Sequence, residues 1–422
     1  MKRLGALTCV AVTLMGALAL TVPLAAQEQP QTHYTVQDLG TLGGTFSWAY
    51  GINNKGSISG MSLLSGDTAM RAFLWRKGQM TDLGTLGGFN SSPIYKPNER
   101  DEVVGQAETS IPDPFHDILC TSLFFDLDTG LSCAAFLWKD GTITPLRSLV
   151  EGRNSRADAI NNRGQVVGNA ENSTPQSCEQ SPFKLRPVMW ERGEIQELPT
   201  LYGDPEGRAL GINDRGQVVG WTLSEDCVFH SVLWEKGTVT DLGNLGGTYN
   251  TAFSINNRGQ AFGQASLPGE STRHAFLWQK DTGMMDLGTL SGDFSSSAWS
   301  IDNKGRVVGT SCDVNFNCRA FLWQDGIMTD LNTLIPADSG WFLVEADGIN
   351  ARGEIVGLGC TDLECHAFLA TPRHCGSGAQ CDALAAQSAT RPRTTVVLPE
   401  NVRKLLQQRQ GNRLGVGLTR SQ

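Results

Sequence analysis

The side chains able to do chemistry in this 422-residue chain are a few acids, histidines, cysteines and aromatics, most of them in segments of irregular length. Asp204, Glu206 and Asp293 are the candidate catalytic acids. A hydrolase or lyase acting on polysaccharide needs two carboxyl groups roughly 5 to 10 Å apart across a sugar, and solvated loop charge is the plain alternative. His116 and His230 are assigned to variable connections and stand as candidate ligand contacts, whereas His274 and His366 fall at equal places before Ala-Phe-Leu and read as structural. Trp48, Tyr249, Trp299 and Trp341 complete the candidate ligand-binding set. Sugar rings and apolar side chains both stack on such rings, and packing inside the fold is the competing use. Asp126 and Asp128 before Gly130 are only faintly like a calcium loop, because too few oxygen ligands follow. No metal or cofactor is expected, and neither a nucleophile elbow nor a phosphate loop is present.

Cysteine use points to an oxidising compartment. Beyond Cys9 an even number of cysteines remains, with no Cys-x-x-Cys pair for zinc. Cys120 with Cys133, Cys312 with Cys318 and Cys360 with Cys365 each flank one connection just before an Ala-Phe-Leu segment. A Cys178–Cys227 bond across neighbouring repeats is expected, and Cys375–Cys381 at the start of the tail.

These residues are positioned by a repeat. Ala-x-x-Ile-Asn-Asn-x-Gly-x-Val-Val-Gly occurs in six clear copies, starting at Ala49, Ala157, Ala209, Ala252, Ala298 and Ala346. A degenerate copy runs from 94 to 105, with Pro97 at the Ile place and Asp101 at the turn Gly. Ala-Phe-Leu-Trp and Asp-Leu-Gly-x-Leu recur between the copies, so each unit of about 48 residues holds four short apolar segments. Four strands per unit is the signature of a propeller blade, and a parallel β-solenoid is the alternative, with shorter coils. The Asn-Asn-x-Gly turns are assigned to tight hairpins in which Asn and Gly take positive φ.

The chain opens with the third phrase and closes after the second, so the first unit has a spare strand and the last lacks one. The expected fold is therefore all-β: a seven-bladed β-propeller of four-stranded blades, with the N-terminal strand closing the last blade. Asp-Leu-Gly is then outermost and Ala-x-x-Ile innermost, with the phrase alanines on the channel wall. The short Asn-Asn-x-Gly end reads as scaffold, and the end of long connections as the place for function.

On His-Ala-Phe-Leu-Trp at 274–278, His-Ala-Phe-Leu at 366–369 and Asp-Leu-Gly-Thr-Leu-Gly-Gly at 38–44 and 82–88, the chain resembles the HAF-repeat family of extracellular bacterial repeat proteins. The resemblance covers 34–371 and implies export and repetition, but no activity. Pro97, Val188–Trp190 and Ser231–Trp234 depart from the pattern.

The ends carry different information. Lys2 and Arg3, an apolar stretch from Leu4 to Leu24, then Ala25 and Ala26 read as a signal peptide over 1–26, with an uncleaved anchor as the competitor. Residues 27–371 are the expected propeller, and 372–422 a basic, low-complexity tail in which Val402, Leu405 and Leu406 form one face of a short helix after Pro399. The whole chain carries a net charge of -9. An acidic body beside a basic tail disfavours nucleic acid. Together these observations describe a secreted protein, periplasmic or extracellular, that is monomeric and not transmembrane once processed. It is expected to act as a binding or scaffold module for a glycan or envelope protein on the long-connection face.

Overall fold

The computed structural model describes residues 32–115, 118–121, 129–151, 153–172, 174, 183–270, 272–362, 364–373, 398 and 400–413. The signal segment, His116, Asp126, Asp128, Cys178, Cys375 and Cys381 lie outside the described residues. Among those described, 28 strands form five four-stranded sheets and one eight-stranded sheet. Consecutive segments zip together antiparallel: Ser155–Ile160, Val166–Glu171, Leu185–Glu191 and Glu194–Glu197 make one sheet in chain order. In each repeat Ala-x-x-Ile starts the sheet and the Asp-Leu-Gly phrase ends it.

The eight-stranded sheet holds the chain's two ends. The N-terminal strand His33–Asp38 pairs antiparallel with the last strand Cys365–Arg373, from His33 opposite Arg373 to Asp38 opposite Phe368. A single parallel bridge, Phe46 to Cys365, joins this half to the sheet that begins at Gly43–Ile52. The innermost strands, among them Gly43–Ile52, Ser155–Ile160, Asn250–Ile255, Ser295–Ile301 and Phe342–Ile349, surround one central channel. This is a β-propeller.

The phrase alanines do not form the channel wall. Ala49, Ala157, Ala209, Ala252, Ala298 and Ala346 are buried in clusters between sheets. Ladder register shifts directly after these alanines, as between Ala49 and Gly51. Such a bulge turns the second residue on toward the axis, so Gly51, Ala159, Ser254, Ser300 and Gly348 line the channel instead.

The two short turns divide their chemistry differently from the sequence expectation. Both central residues of the Trp-x-x-Gly turns have positive φ, as at Lys77 (50°) with Gly78 (88°) and Asp325 (52°) with Gly326 (84°). That is the type I′ geometry, whose twist suits a hairpin. In Asn-Asn-x-Gly only the Gly is left-handed, as at Gly56 (87°), with Asp101 (63°) in its place in the degenerate copy. The first Asn acts through its amide. Asn53 Oδ1 accepts from Lys55 N at 3.0 Å and Ser57 N at 2.9 Å, bracing its own turn.

The same amide also fastens the next repeat. Asn53 Nδ2 donates to Asn98 O at 2.9 Å, Asn98 to Asn161 O at 3.3 Å and Asn161 to Asn213 O at 3.0 Å. Asn213 donates to Asn256 O, Asn256 to Asp302 O, and Asn350 back to Asn53 O. A parallel chain joins the following residue of each turn, from Asn54 N to Glu99 Oε1 and onward to Ala351 N donating to Asn54 Oδ1. Both chains skip one joint. Asp302 has no amide to donate and instead holds Arg306 at 2.6 Å, while Ala351 offers Asn303 no acceptor.

Aromatic and aliphatic side chains fill the space between sheets. Phe73, Phe136, Phe276, Phe321 and Phe368, one per Ala-Phe-Leu phrase, are wholly buried. Facing them is the Gly of Val-Val-Gly, and a Cβ on Gly60 would stand 2.6 Å from the Phe73 ring. Three disulfides are formed as the spacing predicted: Cys120–Cys133, Cys312–Cys318 and Cys360–Cys365. Cys227 is also disulfide-bonded.

The basic tail contributes the helix Glu400–Arg413. Leu398, Val402 and Leu406 are buried in a cluster with Trp48, Met61, Met70, Val344, Leu358 and both cysteine pairs 312–318 and 360–365. Leu398 N donates to Asn317 Oδ1 at 3.2 Å. The described part of the tail therefore folds back on the long-connection side of the ring.

Candidate functional site

The long-connection side carries one polar cluster that departs from the repeat, and it is built where the strand Glu194–Glu197 returns to the innermost strand Glu206–Ile212. The general pattern is a basic residue at the second place of the Ala-Phe-Leu strand, held by an acid on the outer strand. Arg186 pairs with Glu197, His274 with Asp286 at 2.9 Å, Arg319 with Asp330 at 3.1 Å and His366 with Asp38 at 3.0 Å. Burial pushes the Asp286 carboxyl up, but His274 and the Gly288 amide outweigh it and hold Asp286 below its ordinary range. His274 and His366 are thus the structural pair that their equal spacing implied.

His230 occupies the same place in its strand, Phe229–Glu235, and is not in a connection as its sequence neighbourhood implied. Its partner is also different. Nδ1 lies 3.0 Å from Asp204 Oδ2, and the same oxygen accepts from Thr222 Oγ1 at 2.6 Å. Asp204 is almost fully buried, which fixes the imidazole, and Nε2 has no hydrogen-bond partner among the described residues.

Beside it stands Tyr202, which the sequence reading did not single out. It lies in the single turn Leu201–Gly203 with φ 52°, a left-handed conformation that costs a tyrosine on the order of 1 kcal/mol. Its ring is 83% exposed and meets the His230 ring edge-to-face, with centroids 6.1 Å apart. The strain holds a large aromatic in solvent directly over the His–Asp pair. The signal available in sequence was an aromatic after the second Leu of the phrase, where the other repeats have Gly43, Gly87, Val150, Gly246, Ser291 and Ile335.

The other predicted residues fall elsewhere. Glu206 is wholly buried two residues beyond Asp204, at the start of the innermost strand. Asp293 lies in the connection before the strand Ser295–Ile301 of another sheet and is bound by Arg319 at 2.8 Å, so it does not join Asp204 as an acid pair. Burial opposes the Arg319 charge, but Asp293 and Asp330 prevail and raise its pKa. Trp48, Tyr249 and Trp299 lie in the core, closed to a stacking ligand. Trp48 Nε1 donates to Asp347 at 2.8 Å, Tyr249 packs under Arg273, and Trp299 stacks on Phe253 at 4.9 Å. Trp341 is half-buried over Gly359. Aromatics mark both binding surfaces and cores, and in this fold packing between sheets claims Trp48, Tyr249 and Trp299. Among the described residues no group of three or more His, Cys, Asp or Glu is arranged to hold a metal ion, and no helix is long and apolar enough to cross a membrane.

No family model matches the chain, and no curated protein matches it. Among solved structures it is similar to the β-propeller domain of the Trilobed protease from Pyrococcus furiosus, at 13% identity over 66% of this chain and 82% of that one, with a TM-score of 0.46. It is likewise similar to a Mycobacterium tuberculosis puromycin-hydrolyzing peptidase, at 11% identity over 80% of this chain and 54% of that one, with a TM-score of 0.47. A six-bladed fungal lectin from Aleuria aurantia shares 7% identity over 71% and 95% of the two chains, with a TM-score of 0.37.

Proposed function

We propose that the protein is an exported, disulfide-stabilised, seven-bladed propeller that binds a glycan on its long-connection face, with Tyr202 as the stacking platform and His230 as the polar contact. The blade count treats the eight-stranded sheet as two blades that share the single Phe46–Cys365 bridge, with the N-terminal strand completing the last one. Export rests on the apolar N-terminal stretch and fits the disulfides. Membership of the HAF-repeat group rests on the repeated phrases alone, and we take the protein to act as a monomer.

One observation carries the binding reading: an exposed tyrosine held in a strained conformation over an imidazole anchored by a buried acid. A flat ring offers a sugar its apolar face, and the open Nε2 offers one directed hydrogen bond. An array of bacterial surface glycans, followed by calorimetry on the strongest binder, tests this. Tyr202→Ala should lower affinity at least about tenfold, the loss of about 1.4 kcal/mol, without lowering the melting temperature. Unchanged affinity, or no glycan bound, would discard the site.

The hydrogen bond between His230 and Asp204 supports a second reading, polysaccharide hydrolysis or elimination with this pair moving the proton. Glu206, buried as it is, would not reach substrate. Release of product that stops in Asp204→Asn would replace binding with catalysis.

A further inference from the structure

The Asn-Asn-x-Gly end carries a charge pattern that turn geometry does not call for. The third place of each turn, before the left-handed Gly or Asp101, is filled by Lys55, Arg100, Arg163, Arg215, Arg258, Lys304 and Arg352. All seven are basic and all seven are exposed. The second place is not kept in this way, since it holds Asn, Glu, Asp or Ala. In a chain whose net charge is -9, a cation at one place in every repeat runs against the composition.

Fastening to the next turn explains only part of the pattern. Arg100, Arg258 and Arg352 donate through Nη1 to the carbonyl oxygens of Asn162, Asn303 and Asn54. For Lys55, Arg163, Arg215 and Lys304 only the backbone N–H is bonded, to the first residue of its own turn, and the side-chain nitrogens have no partner among the described residues. Positive charge is what the seven share. Glu102 pairs with Arg100 and Glu354 with Arg352. The other acids at this end are held elsewhere, Asp101 by Arg76, Asp302 by Arg306, and Glu99 and Asp214 by asparagines of neighbouring turns. Strands of six or seven residues put the acids of the opposite end about 20 Å away. Salt at physiological strength screens over about 8 Å, so those acids do not cancel the ring.

The asparagine amides tie the turns to one another around the channel, so the cations form a flat ring and not a groove. A flat array meets a planar anionic surface with all its charges at once, whereas a single extended polyanion crosses only part of it. The strand His33–Asp38 also begins at this end, with His33 opposite Arg373, beyond the pair of Ala370 with Ile355 that follows the last turn. The sequence that holds the apolar stretch from Leu4 to Leu24 therefore enters the ring on the cationic face. We propose that this face docks on a membrane surface rich in anionic lipid headgroups, with the seven cations against the phosphates. The face that bears Tyr202 and His230 is then turned away from the bilayer.

Flotation of the chain from Gln27 onward, which contains every described residue, tests the proposal. The vesicles are phosphatidylcholine alone or phosphatidylcholine mixed with phosphatidylglycerol. The protein should float only with the anionic vesicles and leave them at high salt. Each Lys or Arg near such a surface strengthens binding about fivefold. Lys55→Gln, Arg163→Gln and Arg215→Gln combined should therefore weaken it about a hundredfold, with the melting temperature unchanged because these side chains hold nothing in the fold. Failure to float with anionic vesicles, or parent-like affinity of the triple variant, would overturn the proposal. The tail helix is basic as well, so Arg403→Gln with Lys404→Gln serves as the control. Binding lost in that variant and kept in the triple one would assign the membrane to the tail. Tighter retention by soluble dextran sulfate than by the vesicles would equally overturn the flat surface in favour of a strand. Glycan binding on the opposite face is read separately, so either result can fail without the other.

Discussion

At the scale of single residues, the first Asn of each turn is the side chain on which most depends. Its amide braces its own hairpin and reaches the next one, so it acts twice with one pair of atoms. The hydrogen bonds are individually worth about 1 kcal/mol, but they are repeated around the channel. Ala351→Asn would supply the acceptor that Asn303 N lacks, and we expect a gain of about 1 kcal/mol, seen as a rise of roughly 1 to 2 °C in a thermal melt. An unchanged or lower melting temperature would show that this joint has no room for the bond. The repeat itself made these asparagines conspicuous, but their role was not legible, because the partner of each amide lies in another repeat some 45 residues away. Positive φ was the local explanation at hand, and it belongs to the last turn residue, Gly56 and its counterparts or Asp101 in the degenerate copy, and not to the asparagines. His230 was obscured for the same reason. It shares its place with His274, and only the fold shows that Asp204 has drawn it away from the outer strand.

At the scale of elements, strands were readable where a phrase stays apolar and turns are marked by Gly, since both requirements are local. Cysteine pairs flanking one hairpin were readable on the same ground, and three of them form. The tail helix was half readable. Val402 and Leu406 are buried as one face, but Leu405 is only half-buried, and Leu398 before the helix supplies the third buried contact. Its docking place was not readable, because the receiving surface is assembled from distant loops and strands. Trimming the chain after Arg373 should uncover Met61, Met70, Val344 and Leu358, raise the fluorescence of an apolar dye and lower the melting temperature. Burial of three such side chains contributes at most about 1.5 to 3 kcal/mol each, so a loss of a few degrees is expected. Dye binding like that of the parent would mean that the helix does not hold its place in solution.

At the scale of the whole molecule, the ends of the chain meet in one sheet. Deleting His33–Asp38 strips the edge of Cys365–Arg373 and removes Tyr34, which is buried with Leu331, Leu334 and Ile335. Loss of one such aromatic alone costs about 3 to 5 kcal/mol. The deletion should therefore unfold the ring cooperatively at a much lower temperature, and parent-like melting would contradict closure. The asparagine fastenings add a consequence at this scale. Both are missing at the same joint, between the turns at Asp302 and Asn350. Across the molecule from that gap, the tail helix rests in a cluster that contains the disulfide hairpins on either side of it. The tail then works as a splint on the seam left unstitched below, and a protease that clips it would choose where the wheel first comes apart.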